Sequence, residues 1–561
     1  MHRVLLWFLM FGLHGFCHTA GGQSVNYAAS FGSAGIESGY CLGIGPDNDH
    51  YYVGSTSGPV DLDPTGPGAI VGAQDTAGLF VMKRSSAGAF LWAFSLKLVW
   101  EYGTIAAAVA DNGDVVIGAT IHGPVDMDPD DSTTFMLSGT TSARSFVARY
   151  SSDGHLVWAK LFAGSWSAVY DLAFDGVGNI YAIGEFDGPV DFDPGGTTHI
   201  IDTHGDHWAF LCKLDGDGAL LWAGSIGLNG ESKGQKVVVD GLDNVVITGR
   251  SRWGSTDLDP GPDVLEHVID GNTFHTWVIK LDADGHYLWS DVLVGDNDCL
   301  FWDLAVDDAG DVYSAGDFEG TYDLDPSAGV DLVTSDQADG LLWKLSGDDG
   351  SVLRTAVYGG AGWQRLYRLA KEQGGFFYAH LYASLPTDLD PGSGVAYPLE
   401  DGGLLFCKYD TALNYEGHFQ LPCSTGTRVA EMAVDHTDNL VITGALSGTF
   451  DVDPSAGEFE LVSQGSSDIW ILSLGDIALG IPASLNPTSH ISLCQGDGLF
   501  QLDLPEPAAG VEVLDGMGRL LWRTTSPGRS LRLDLSSYDQ GMYLVRVTCG
   551  EGFETHRFLV E

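Results

Sequence analysis

The chain has 561 residues, 76 acidic side chains against 26 basic ones, and a formal net charge of −50. That surplus argues against nucleic acid as a partner, because phosphate recognition needs clustered Lys and Arg. A hydrophobic content of 44% sustains a real core and sets the chain apart from disordered acidic proteins, while 76 glycines with 11% aromatics form an all-β composition.

The chain opens with Met1-His2-Arg3 and an apolar run from Val4 to Leu13, the pattern of a signal peptide, assigned to residues 1–22 with Ala20 and Gly22 at the cleavage site. No later run reaches the ~18 apolar residues of a membrane helix, so no transmembrane segment is predicted. The expected location is secreted or on the outer cell surface, after export to the periplasm. Seven cysteines remain beyond Cys17, without metal-ligand spacing. Cys494 and Cys549 are the candidates for a pair, and at least one cysteine stays unpaired within the chain.

One pattern then recurs seven times. Asp-x-Asp-Pro begins at Asp61, Asp126, Asp191, Asp257, Asp323, Asp388 and Asp451, at intervals of 65, 65, 66, 66, 65 and 63 residues. Each unit carries four short apolar runs separated by turns rich in Asp, Asn and Gly. In the third unit these are 171–175, 179–184, 208–214 and 219–223. Four antiparallel strands per unit, repeated radially, predict a β-propeller of seven blades. The fourth strand has a recurrent Trp at 92, 158, 222 and 289, replaced by Arg354 and Tyr415 in blades 5 and 6, and these rings are expected to pack between blades. Tyr27 to Gly32 matches a fourth strand, Trp222 to Gly227, and the last repeat stops after its third. An N-terminal strand should therefore complete blade 7 and remove a free sheet edge. Residues 24–478 are one propeller.

Units such as Gly188-Pro189-Val190-Asp191-Phe192-Asp193-Pro194, followed by a strand, Asp-Gly and Leu-Trp-Ala, resemble the bacterial SBBP-type β-propeller repeat over about 80% of the chain. Repeat 6 departs most, with Leu385 in place of Gly and Lys371 where Asp175, Asp240, Asp307 and Asp435 close the first strand. Blade 6 is expected to be distorted.

Composition shifts after Gly480. Residues 479–486 read as a linker, and 487–561 as a small β-sandwich. Asn486-Pro487, Val513-Leu514-Asp515 with Gly518, Leu533-Asp534-Leu535-Ser536 and Gly541-Met542-Tyr543-Leu544-Val545 resemble the type A sorting domain of type IX secretion cargo. The resemblance implies that the type IX machinery is a partner through residues 487–561, with release or surface attachment afterwards.

Three groups of residues could carry function. The pairs Asp61 and Asp63, Asp126 and Asp128 (with Asp130), Asp191 and Asp193, Asp257 and Asp259, Asp323 and Asp325, Asp388 and Asp390, and Asp451 and Asp453 put two carboxylates in each loop. They suit Ca²⁺, the one cofactor the chain suggests. Equally, they suit capping of backbone N–H groups in a turn. A cluster at His199, Asp202, His204, Asp206 and His207 reads as a solvated loop or a transition-metal site. The 4–1 loops carry Trp100, Tyr102, Trp166, Trp302 and Trp363, and in a propeller those loops share a face with the 2–3 loops. Aromatic rings beside carboxylates fit sugar binding or packing under loops. No Gly-x-Ser-x-Gly, His-Glu-x-x-His or phosphate loop occurs. The sequence thus points to a secreted or surface propeller that binds a protein or glycan. The rival readings are a polysaccharide lyase or glycosidase on the same scaffold, and a passive surface-layer protein.

Overall fold

The computed structural model describes residues 24–475, apart from short loop stretches, and the strands between residues 499 and 560. Residues 1–22, Trp100, Tyr102, Leu385 and Cys494 lie outside the described residues, and the expectations placed on them lie there too.

Seven four-stranded antiparallel sheets follow one another in the first unit, and no helix occurs among the described residues. Each blade runs from an innermost to an outermost strand. In blade 3 these are Ser167–Phe174, Ile180–Asp191, Ile200–Leu214 and Leu220–Ile226. The second strands are apolar on both sides, as in Ile180-Tyr181-Ala182-Ile183, because each is sandwiched between neighbouring blades and is buried throughout that stretch. The core is therefore a ring of inter-blade clusters. One of them packs Tyr51, Val53 and Val81 of blade 1 against Val115, Ile117 and Phe146 of blade 2.

The predicted closure is present. Ser24–Phe31 pairs antiparallel with Asp468–Gly475, so the fourth strand of blade 7 comes from the N-terminus. Tyr27 occupies the recurrent Trp position opposite Ser473, and its hydroxyl lies 2.5 Å from both His50 Nδ1 and Tyr52 Oη of blade 1. His50 Nε2 in turn lies 3.4 Å from Asp435 of blade 7.

Blades 1 to 5 are also latched by a recurring cation. Lys83, Arg149, Lys213, Lys280 and Lys344 donate to the carbonyls of Ser152, Gly216, Ala283, Gly347 and Thr411 in the next blade's 3–4 turn. The Trp92, Trp158, Trp222 and Trp289 Nε1 atoms donate to the first four of the same carbonyls. Each ring lies against a turn glycine: Gly154, Gly218, Gly285 and Gly350. All four have φ between +76° and +86°, and a Cβ would fall 2.8–3.2 Å from the indole. Glycine is required there both by the left-handed backbone and by the close approach.

Blade 6 is a complete four-stranded sheet, contrary to the expected distortion. The register puts Glu372, and not Lys371, at the position of Asp175. Glu372 N–H donates to the Phe376 carbonyl as Asp175 N–H does to that of Asn179, and Lys408 pairs with Glu372 at 2.7 Å as Lys213 does with Asp175 at 2.9 Å. A one-residue slip in the sequence match caused the misreading. Likewise Gly417, opposite Lys408, stands at the Trp position, two residues beyond Tyr415, which pairs with Tyr409.

The second unit, Ile481–Glu561, is separate. It holds a four-stranded sheet in the order Leu520–Thr525, Gly510–Asp515, Gly541–Cys549, Gly552–Val560, and a ribbon of Leu499–Asp503 with Ser530–Asp534.

Candidate functional site

The Asp-x-Asp-Pro segments lie where strands 2 and 3 connect, and the middle residue of each is buried: Leu62, Met127, Phe192, Leu258, Leu324, Leu389 and Val452. In all seven loops, Oδ1 of the first Asp accepts the N–H of the second Asp at 3.0–3.3 Å. In six it also accepts an N–H eight or nine residues on, at 2.7–2.9 Å. Asp128, Asp193 and Asp259 accept further N–H groups from Asp130, Gly195 and Gly261. The capping role predicted as one alternative is what these contacts display. Among the described residues no three His, Cys, Asp or Glu side chains are grouped as a metal site. The cluster expected in a loop at His199–His207 is largely strand: residues 200–207 begin the long third strand of blade 3.

The 4–1 loops do share a face with the 2–3 connections. Ala163–Gly164 pairs with Val190–Asp191, and Gly295, Gly360 and Cys423 bridge Tyr322, Thr387 and Phe450. On that face Trp363 is 42% exposed, with the Arg365 guanidinium 4.7 Å from its ring centroid. Trp166 is half-buried and meets His207 edge-on at 5.8 Å. Trp302 is not in a loop. It lies within the innermost strand of blade 5, Cys299–Val306, at a bulge.

That bulge recurs. Six of the seven innermost strands share a register shift at the equivalent position, at Tyr40, Tyr170, Gln235, Trp302, Tyr367 and Ala430. Blade 2 lacks the extra residue. A bulge re-aims side chains, and here it sets two rings of residues around the central channel.

The deeper ring is Cys41, Ala107, Asp171, Lys236, Asp303, Arg368 and Glu431. Lys236 Nζ lies 3.8 Å from Asp171, 3.5 Å from Asp303 and 3.3 Å from Glu431 across the lumen. Arg368 Nε lies 3.5 Å from Glu431 and donates to the Ala430 carbonyl at 2.6 Å. Asp171 and Asp303 accept the N–H groups of Val237 and Leu369 from adjacent blades. Burial pushes the Asp171 carboxyl up to about 6 despite Lys236, and raises Asp303 as well. The Cys41 thiol is pushed up to about 12 by burial, so it is no nucleophile. This ring crosses the channel with an ion network, so any ligand on this axis is met at the mouth.

The mouth is built on blades 3 to 6. Tyr170 Oη donates to Glu185 at 2.6 Å, and Lys233 of blade 4 lies 3.8 Å from Glu185 and 3.8 Å from the Tyr170 ring centroid. Two blades on, Trp302 Nε1 donates to Asp317 at 2.5 Å, and Arg365 of blade 6 lies 3.4 Å from Asp317. Burial raises Asp317 to about 6 against the pull of Trp302 and Arg365. Between them Arg250 and Arg252 lie 4.4 and 4.8 Å from the Phe274 ring centroid, Arg252 pairs with Glu231 at 2.7 Å, and Arg252 lies 4.3 Å from the Trp253 ring centroid. Trp253 and Tyr382 are 40% and 49% exposed. A cleft of about 440 Å³ lies on the opposite face. Its Arg149 is already engaged by Asp114 and the Gly216 carbonyl.

Sequence reasoning named Trp166, Trp302 and Trp363 on this face and missed Tyr170, Lys233, Arg250, Phe274 and Tyr367. A signal was available. Charged residues recur at a ~65-residue spacing inside runs that are otherwise apolar, and a soluble strand buries such residues only around a channel or in pairs.

No protein-family description matches the sequence. An uncharacterised WD-repeat-containing protein of Acanthamoeba polyphaga mimivirus is 28% identical over 233 residues, covering 36% of this chain and 17% of that relative. The chain thus spans about a sixth of that relative's length. Among solved structures, the PorZ surface component of the type IX secretion system of Porphyromonas gingivalis aligns over 93% of this chain and 75% of its own, at 11% identity and a TM-score of 0.30. A protein of unknown function from Dyadobacter fermentans aligns over 66% and 93%, at 9% identity and a TM-score of 0.35.

Proposed function

We propose that the protein is an exported binding module that captures a glycan or a surface protein at the channel mouth of blades 3 to 6. The observation that carries this reading is the asymmetry of the mouth. The repeats are near-equal in their strands, yet the sets of aromatic donor, acid and cation lie on blades 3 to 6, while blades 7 and 2 have Ala445 and Ala119 at the acid's position and blade 2 has no bulged residue. Packing does not require such a sector, because the alanine blades form the same sheets. Exposed rings on a rigid scaffold are suited to stacking on sugars or anchoring protein contacts. Export rests on the signal-like start and on the C-terminal motifs resembling a type IX sorting domain, which would make that machinery the partner of residues 487–561.

The purified mature chain, applied to an array of oligosaccharides and surface proteins, tests this reading. Trp253→Ala with Trp363→Ala should lower capture at least tenfold without moving the melting temperature. Capture unaffected by both changes would place the partner elsewhere. A second reading is favoured by Asp317, a carboxyl held near 6 beside Trp302: it has the protonation behaviour of a general acid. Cleavage products from the same oligosaccharides, lost in Asp317→Asn, would make the mouth a glycosidase or lyase site.

A further inference from the structure

The mouth contains a three-part unit twice, offset by 132 residues. Tyr170, Glu185 and Lys233 correspond to Trp302, Asp317 and Arg365: an aromatic donor and an acid on one blade, and a cation from the next. Strand register confirms the correspondence, with Glu185 opposite Ala168, Asp317 opposite Leu300 and Arg250 opposite Lys233, each at the same step before the bulge.

In the repeat between them the unit is inverted. Arg250 stands at the acid's position, Gln235 at the aromatic donor's, and Leu300 of the next blade where a charged partner would be. Among the described residues no carboxylate lies within ion-pair distance of Arg250. Its Nε and the Gln235 Oε1 are buried without a hydrogen-bond partner. Glu185, Glu231, Asp298 and Tyr170 are the anionic and acidic groups near enough to act on Arg250, and burial still lowers its pKa. Glu231 is taken by Arg252, and Glu185 by Tyr170 and Lys233. Asp298 accepts the Phe274 N–H at 3.0 Å. A desolvated guanidinium without a counterion is costly, and the two flanking repeats show what would satisfy it.

We infer that Arg250 is the anchor for a ligand carboxylate, and that the ligand is a glycan carrying isolated carboxylated sugars among neutral ones. This rests on the reading of the mouth as a binding site. Three features select this chemistry. Arg250, desolvated and without a counterion, calls for an anionic group. The surrounding carboxylates, Glu231 and Asp298 among them, are acceptors that sugar hydroxyls can meet. Trp253, 40% exposed beside Arg252, offers a ring to a pyranose. A dense polyanion is disfavoured by the −50 net charge. An acidic peptide has few hydroxyl donors for the carboxylates.

Calorimetric titration of the full mature protein tests this with three probes: a tetrasaccharide bearing one glucuronic acid, the same tetrasaccharide with its carboxyl reduced to the alcohol, and an acidic peptide. Wild type should bind the acidic sugar at least tenfold more tightly than its reduced form. Arg250→Gln should erase that preference, and Arg250→Lys should restore part of it, with unchanged melting temperatures showing that both variants fold. Equal affinity for the acidic and reduced sugars, both abolished by Trp253→Ala, overturns the carboxylate assignment and leaves the mouth as a site. Tighter binding of the peptide transfers the anchor to a protein partner and overturns the glycan. Binding of none of the probes overturns the inference, and it brings down the parent reading only if the Trp variants also leave array capture unchanged.

Discussion

Lys236→Met removes the cation on which the channel ring depends. The side chain is 19% exposed, and Asp171, Asp303 and Glu431 surround its Nζ within 3.8 Å. Deleting one partner of a buried pair costs about 3–5 kcal/mol, because the remaining charge is left uncompensated. Here three carboxylates would be left with Arg368 alone, so the upper end of that range is expected at neutral pH. The loss should depend on pH in a definite direction. Asp171 is held near 6 in the folded protein, above its ordinary 3.8. A carboxyl with a raised folded pKa binds more protons folded than unfolded, so its contribution to stability is present below its unfolded value and falls away as pH rises through the folded one. Removing Lys236 raises Asp171 and Asp303 further. The variant's deficit should thus be largest at pH 7–8 and shrink towards pH 5 as Asp171 takes up its proton. Urea unfolding of wild type and Lys236→Met at pH 8, 7, 6 and 5 measures this, with Lys236→Arg as a partial rescue. A deficit under 1 kcal/mol at pH 7, or one independent of pH, would refute the account of the ring.

Gly285→Ala places a Cβ 2.9 Å from the Trp222 indole at φ +86°, and a melting scan should show a loss of roughly 1–3 kcal/mol; an unchanged melt would remove the inter-blade latch. Deleting residues 24–31 leaves the Asp468–Gly475 edge unpaired, and the truncated chain should melt well below the mature one. Because the first Asp of each Asp-x-Asp-Pro loop is occupied by backbone N–H groups, chelator should leave the melting temperature unchanged; a drop restored by Ca²⁺ but not by Na⁺ of equal ionic strength would establish the ion. A chain ending at residue 486 should retain a folded propeller in the periplasm, and its efficient appearance outside the cell would remove the sorting role of residues 487–561.

The architecture was legible because a propeller writes its period into the chain. The Asp-x-Asp-Pro loops recur at near-constant spacing, since each must cap the same turn, and Tyr27 announced the closing strand by standing where Trp222 stands. Reading failed where register mattered by one or two residues. Lys371 and Tyr415 were placed by alignment of apolar runs, which cannot see that Glu372 begins the turn or that Gly417 faces Lys408. The mouth was half-legible for a related reason. Exposed rings usually lie in loops, but Trp302 and Tyr367 sit inside strands at a bulge. A bulge adds one residue without breaking the hydrophobic run, and only pairing with the second strand reveals it.

The same bulge explains how near-identical blades produce an asymmetric site. Sheet formation and inter-blade packing constrain the second and third strands, whose side chains are buried on both sides. The residue before the bulge, as Val169, Phe301, Leu366 and Val429 show, belongs to the inter-blade core, whereas the bulged residue and the one after it face the channel. Those positions can change with little cost to the sheets: blade 7 holds Ala430 and blade 3 Tyr170 in equivalent places, and both blades pair fully. Once Glu185 and Asp317 are buried beside their aromatic donors, however, each requires a cation, and the nearest free position is on the following blade. Lys233 and Arg365 occupy it. The pairing rule that ties neighbouring blades together is what makes Arg250, alone at an acid's position, an exception with a chemical meaning.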